Sequence, residues 1–321
     1  MAYSSTLPAP LRGILVPMVT PLAGPDELDA AGLERLVDRM LAGGVHGLFL
    51  LGSCGEGPSL SPRIQRQLID HVCGYVARRL PILVGVTASS PVESSALARH
   101  AADAGVDAVV IAPPFYFPLQ QAELHAYITR QAADSPLPVV LYNMPGLTKV
   151  VIEPETVARL MDNPRIIGLK DSSGDMAYFR RAREVTRGRG DWTLLVGPEH
   201  LLAESIEAGG DGGVSGGANV LPQLFVQLYE AARAGFPEEL AAFESDVVRL
   251  AQIYSVGSIS GVTASSVVKG LKAALSTLGV CGALPSPPLG PLTVAQTEQV
   301  KQILYLLDVA GAGGRFVAAQ Q

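Results

Sequence analysis

Short apolar runs rich in Val, Ile and Leu recur along the 321-residue chain, at 13–19, 47–52, 81–86, 107–113, 138–143, 166–171, 193–197 and 212–217. The first seven are apolar at successive positions rather than alternating, the pattern of strands buried on both faces of a parallel sheet. The eighth, Gly-Gly-Val-Ser-Gly-Gly, is glycine-rich and weak on its own. Segments with helical spacing lie between them. Leu33, Leu36, Val37, Met40 and Leu41 make one stripe that ends at Gly43-Gly44. Ser61-Pro62 and Ser90-Pro91 each read as an N-cap followed by proline at the first helical position, and the second of these helices ends at Gly105.

The spacing from strand to strand is about 20–35 residues, the length of a βα unit. Eight units in series predict an α/β fold of the (β/α)8 TIM-barrel class, since no dinucleotide fingerprint follows the first strand to favour a doubly wound sheet. Residues 1–235 are assigned to the barrel. Residues 236–321 are assigned to a C-terminal helical region packed on it, built from 237–255, 264–279 and 293–311, with 285–291 (Pro-Ser-Pro-Pro-Leu-Gly-Pro) as a rigid linker and a loose tail from 311.

Composition narrows the function classes. There are 24 Lys+Arg against 30 Asp+Glu, a net charge of −6, and no basic block, which argues against nucleic acid or an anionic membrane as partner. Only 17% of residues are charged, which suits a large interior and surface covered in a homo-oligomer. Cys54, Cys73 and Cys281 are an odd number without a CxxC pair, as expected in a reducing, cytoplasmic setting. The N-terminal stretch lacks the charged and apolar regions of a signal peptide, and no apolar run reaches about 18 residues. The five histidines, 46, 71, 100, 125 and 200, form no ligand pair, so no metal site is expected.

In a barrel the chemistry belongs at the C-terminal ends of strands. There the second strand runs into Gly-Ser-Cys-Gly-Glu-Gly (52–57), the fifth ends in Tyr142 and the sixth in Lys170. Of five lysines, Lys149, Lys269, Lys272 and Lys301 are assigned to loops or helix surfaces where an amine stays solvated. Lys170 instead follows the interior run Ile-Ile-Gly-Leu. Burying an ammonium is costly, and burial favours the neutral, nucleophilic amine that Schiff-base chemistry with a ketone requires. The alternative is a lysine at an exposed strand tip, paired with Asp171 or another carboxylate. Tyr142 either shuttles protons for a neighbouring imine or packs at the barrel mouth. The closely spaced glycines after the second strand, including Gly55, let backbone N–H groups converge on an anion. The turn lacks the Lys-Ser/Thr of a phosphate loop, so a carboxylate is the better guest, flanked by Ser53 and Cys54. Cys54 as a reactive thiol is disfavoured, with no histidine near it in sequence. Glu56 is a candidate hydrogen-bonding support for the turn.

The motifs Val-Pro-Met-Val-Thr-Pro-Leu, Gly-Ser-Cys-Gly-Glu-Gly-Pro-Ser-Leu-Ser, Ala-Pro-Pro-Phe-Tyr-Phe-Pro, Tyr-Asn-Met-Pro-Gly-Leu-Thr, Ile-Ile-Gly-Leu-Lys-Asp-Ser-Ser-Gly-Asp and Gly-Gly-Val-Ser-Gly-Gly-Ala-Asn-Val-Leu-Pro appear in barrel order. Together they resemble the dihydrodipicolinate synthase/N-acetylneuraminate lyase family of class I aldolases over nearly the whole chain. The resemblance implies that Lys170 forms an imine with a 2-oxo acid, typically pyruvate, that Tyr142 is the proton shuttle, and that Ser53 carries the relay hydroxyl. It implies that Tyr116 reaches into a neighbouring subunit's site, that Ser53 and Cys54 N–H groups hold the pyruvyl carboxylate, and that Val214 lines the bound pyruvate. No cofactor is implied beyond the covalent imine, and the family is usually tetrameric.

The departures concern the second substrate. Leu147 stands where the synthases have the arginine that binds the carboxylate of aspartate semialdehyde, and leucine cannot act as a carboxylate clamp. Cys54 replaces the usual second threonine. Glu199 and His200 replace the Asp-Glu pair with which neuraminate lyases grip a polyol tail. The expected function is a Schiff-base lyase, aldolase or dehydratase, acting on a 2-oxo acid such as a 2-keto-3-deoxy sugar acid. Dihydrodipicolinate synthase is the alternative. Neuraminate lyase and a non-catalytic barrel that senses a 2-oxo acid rank below both.

Overall fold

The computed structural model describes residues 7–307. Eight parallel strands close into a barrel: β1 (Gly13–Pro17), β2 (Gly47–Leu50), β3 (Ile82–Gly85), β4 (Ala108–Ile111), β5 (Val139–Asn143), β6 (Ile166–Asp171), β7 (Thr193–Val196) and β8 (Gly212–Val214). Each pairs with its sequence neighbour, and β8 returns to β1 through Gly13↔Gly212 and Leu15↔Val214. All eight expected strands form, the glycine-rich one included.

The continuous apolar runs become two cores because side chains alternate in direction along a strand. Leu15, Phe49, Leu83, Val110, Val140, Leu195 and Val214 fill the barrel interior. Their neighbours Ile14, Val16, Leu48, Leu50, Val84, Val109 and Leu141 face the helices. Tyr142 belongs to the interior set.

The helices of the outer layer include α1 (Ala30–Ala42), α2 (Pro62–Val76), α3 (Pro91–Ala104) and α4 (Gln121–Asp134). The Ser61 hydroxyl caps α2, accepting from the Ile64 N–H at 3.3 Å. The expected cap at Ser90 does not form: its side chain makes no capping bond. Ser94 serves that end instead, its hydroxyl accepting from the Ala88 N–H at 3.0 Å. A single turn (Pro145–Thr148) follows β5, and five further helices run to the end of the barrel and beyond. They are α5 (Pro154–Leu160), α6 (Met176–Thr186), α7 (Leu202–Glu207), α8 (Pro222–Ala234) and α9 (Pro237–Ala251). The described residues close with α10 (Ala264–Thr277) and α11 (Val294–Leu306). α9 packs on α8, α10 packs on the 3-10 turn Gln252–Tyr254 that ends α9, and α11 packs on α10. The segment 285–291 is more than a linker. Ser286 is buried, its N–H donates to Glu56 at 2.6 Å, and its hydroxyl donates to the Ser59 carbonyl at 3.0 Å. The expected loose tail lies outside the described residues. Among the described residues no helix is long and apolar enough to cross a membrane.

Candidate active site

Parallel pairing of β5 and β6 sets Tyr142 opposite Lys170 and Asn143 opposite Asp171. The alternation that turns Tyr142 inward therefore carries Lys170 to the same C-terminal mouth of the barrel. Lys170 is only 5% exposed, and its Nζ lies 4.0 Å from the Tyr142 ring centroid and 4.9 Å from that of Phe49. Two aromatic faces thus share contact with the amine. The alternative of a strand-tip lysine paired with Asp171 is not what forms. The Asp171 carboxylate accepts from Asn143 Nδ2 at 2.8 Å, the Ser173 N–H at 3.1 Å and the Ser173 hydroxyl at 2.9 Å. It braces the ends of β5 and β6 behind the site.

The turn after β2 brings Ser53 to Tyr142, hydroxyl to hydroxyl at 3.3 Å. Its backbone is tightly wound, with Leu51 at φ 58° and Glu56 at φ 56°, a left-handed conformation that costs non-glycine residues energy and is tolerated where the surroundings enforce it. A Cβ on Gly57 would lie 2.2 Å from the Leu51 carbonyl oxygen, so only glycine fits there. The Gly55 carbonyl accepts from the Thr20 hydroxyl at 2.7 Å.

What enforces the turn is an ion pair, one member of which, Lys272, sequence reasoning placed wrongly. Lys272 was expected on a solvated helix face. It is fully buried in α10, ion-paired to Glu56, and donates to the Leu284 carbonyl at 2.8 Å. Burial holds its pKa below the ordinary lysine value, against the pull of Glu56. The expected supporting role of Glu56 is thereby seen in detail: one oxygen meets Lys272 and the other the Ser286 N–H.

Lys170, Tyr142, Ser53, Cys54, Val214 and Glu199 all line one cavity of about 500 Å³. Glu199 sits on a 3-10 turn after β7. Its carboxylate accepts from the Gly217 N–H and from the Tyr254 hydroxyl, at 3.1 and 3.0 Å to its two oxygens. Burial pushes the Glu199 carboxyl up to about 7, opposed by those hydrogen bonds. Tyr254, Val247, Ala251, Ala264 and Val267 complete the wall. These come from α9, α10 and the turn joining them, a region where the sequence offered no chemical signal. Burial pushes the Cys54 thiol up to about 11, which fits a packing residue and not a nucleophile.

Three expected site residues lie elsewhere, and of these Gly55 is buried in the turn and lines neither cavity. Leu147, 43% exposed, lines a second cavity of about 280 Å³ that shares Ser53, Tyr142 and Met144 with the first. Tyr116 touches neither. Its ring is 85% exposed, stacked edge-on against Phe117, and its φ is 117°. Among the described residues no group of three or more His, Cys, Asp or Glu side chains is placed to hold a metal ion.

The model of the Dihydrodipicolinate synthetase family matches residues 10–306. The chain belongs to this family. With the closed barrel in place, it is an enzyme of the class I lyase type. A putative 2-dehydro-3-deoxy-D-gluconate aldolase of Escherichia coli K12, YagE, is 33% identical over 246 residues, 76% of this chain and 82% of its own. A structure of dihydrodipicolinate synthase from Bacteroides thetaiotaomicron is similar with a TM-score of 0.90 and 43% identity, covering 94% of this chain and 100% of that one. The structure of E. coli K12 YagE in complex with pyruvate is similar with a TM-score of 0.87 and 30% identity, covering 93% and 99%.

Proposed function

We propose that this dihydrodipicolinate synthetase family member forms a Schiff base with a pyruvate-type 2-oxo acid on Lys170 and acts on it as an aldolase or dehydratase. The observation that carries the reading is the triplet at the mouth: a lysine 5% exposed, in register with Tyr142, whose hydroxyl is 3.3 Å from that of Ser53. The Lys170 amine attacks the keto carbon, and the carbinolamine loses water to leave an imine. Both steps move protons over a short path, which the Tyr142 and Ser53 hydroxyls supply as donor and acceptor in turn. The imine then serves as electron sink for cleavage or formation of the C3–C4 bond, so the lysine and the substrate's own carbonyl suffice without a cofactor. The turn at Ser53 and Cys54 presents backbone N–H groups for the pyruvyl carboxylate, and Val214 packs against the bound keto acid. The complex of YagE with pyruvate supports pyruvate as the ketone. The aldolase name of YagE supports 2-keto-3-deoxy sugar acids as one substrate class.

Tyr116 has its place in this reading on a second copy of the chain. An exposed aromatic pair on a backbone at φ 117° suits a side chain held outward for another subunit's site, and a homo-oligomer, tetramer or dimer, follows. The second reading, condensation of pyruvate with aspartate semialdehyde, is favoured by the 43% identity to the Bacteroides enzyme and opposed by Leu147. The deciding experiment is borohydride reduction in the presence of pyruvate, read by intact and peptide mass. A reduced adduct on Lys170 that vanishes in Lys170→Ala is expected. An unmodified Lys170 in folded protein would refute the reading.

A further inference from the structure

The chemistry of the two cavities bears on what the imine meets. Among the described residues that line them, Lys170 is the one ammonium or guanidinium, with the exposed imidazole of His200 beside it in the first cavity, and as an iminium in the proposed reaction its charge is already matched by the pyruvyl carboxylate. The cavity beside Leu147 has no charged side chain in its lining at all. The same cavity as Lys170 is lined by the apolar Met144, Val247, Val248, Ala251, Val262 and Val267, with Ser172, His200 and Tyr254 as its further polar side chains. The acid in that lining, Glu199, already accepts from Tyr254 and Gly217. It can accept one more hydroxyl, and it repels a second carboxylate. Removing a carboxylate from water into such a site without a cationic partner is strongly unfavourable. An alkyl or aryl group loses nothing there and gains by leaving water.

We infer that the carbonyl compound exchanged at this site is a neutral aldehyde with an apolar tail, so that the enzyme makes and breaks 4-hydroxy-2-oxo acids carrying an alkyl or aryl group beyond C4. This rests on the Schiff-base reading above and replaces the sugar-acid class by one that the lining fits better. In the forward direction C3 of the pyruvyl enamine attacks the aldehyde carbon and the C3–C4 bond forms. The aldehyde oxygen takes up one proton, and one water hydrolyses the imine to return Lys170. In reverse, the 4-hydroxyl loses its proton, the C3–C4 bond breaks with its electrons flowing into the imine, and C3 is protonated.

The test incubates the full-length enzyme at pH 8 with pyruvate and, in turn, butanal, glyceraldehyde and aspartate semialdehyde, following pyruvate consumption and product mass, with borohydride trapping in parallel. Butanal is expected to exceed aspartate semialdehyde in kcat/KM by about tenfold or more and to exceed glyceraldehyde. A guanidinium added at the rim by Val248→Arg should narrow the gap to aspartate semialdehyde. Equal or faster use of aspartate semialdehyde, a preference for glyceraldehyde, or a gap unmoved by Val248→Arg would overturn the inference. So would a pyruvate adduct on Lys170 that no aldehyde captures. Absence of the adduct itself would instead strike the Schiff-base reading, and the inference with it.

Discussion

Lys272, on α10, and Glu56, in the turn after β2, form an ion pair closed off from water. Through it a C-terminal helix grips the loop that carries Ser53. A buried pair is weak evidence for net stability, but breaking one partner strands the other charge, at a cost of about 3–5 kcal/mol. Lys272→Met should therefore lower the unfolding free energy by that order. Adding Glu56→Gln, which keeps an acceptor for the Ser286 N–H, should recover part of the loss. Urea unfolding of the two single variants and the double variant measures this coupling. Additive losses would show that the pair does not hold the turn.

The contrast between Lys170 and Lys272 shows what the sequence discloses. Lys170 ends a strand-length apolar run, so its burial and its direction follow from two-fold periodicity. Tyr142 follows by the same rule on the adjacent strand. Lys272 sits in a helical segment, where any residue can be inside or outside depending on what packs against it. Its partner is more than 200 positions away in sequence, and no local pattern signals that. Tyr254 and the valines of α9 and α10 were missed for the same reason: they become part of the site only when the C-terminal helices fold over the barrel mouth. Motif order made the barrel and the grouping of Lys170, Tyr142 and Ser53 legible, whereas the cavity wall from α9 and α10 depends on tertiary packing.

Tyr142→Phe removes the hydroxyl 3.3 Å from Ser53 while keeping the ring over Lys170. Exchange of the pyruvate methyl protons in deuterated water requires only the imine and its enamine, so it needs no second substrate. A positioned proton carrier contributes about 10²–10⁴-fold, and exchange followed by NMR should fall by that order in Tyr142→Phe and by less in Ser53→Ala. Unchanged exchange in Tyr142→Phe would remove the phenol from the proton path.

The Cys54 thiol, raised to about 11 by burial, is almost wholly protonated at pH 8. Only the thiolate alkylates, so iodoacetamide should modify Cys54 about 10²-fold more slowly than an exposed cysteine. Timed alkylation with peptide mass analysis reads this directly. Rapid labelling of Cys54 in folded enzyme would show a thiol more reactive than its setting allows.

Glu199 makes stability depend on pH in a direction opposite to that of most acids. Its carboxyl moves from an ordinary 4.5 to about 7 on folding, so between those values the folded protein binds the proton more tightly than the unfolded chain. The stabilisation is full below about 4.5 and is lost as pH rises through 7. Lys170, Cys54 and Tyr254 share the cavity, so the effect is best isolated by difference. Glu199→Gln, which cannot ionise, should gain about 2–3 kcal/mol relative to wild type between pH 5 and pH 8, measured by denaturant unfolding at both values. A difference that does not change with pH would mean that Glu199 titrates near its ordinary value, already ionised within its bonds to Tyr254 and Gly217.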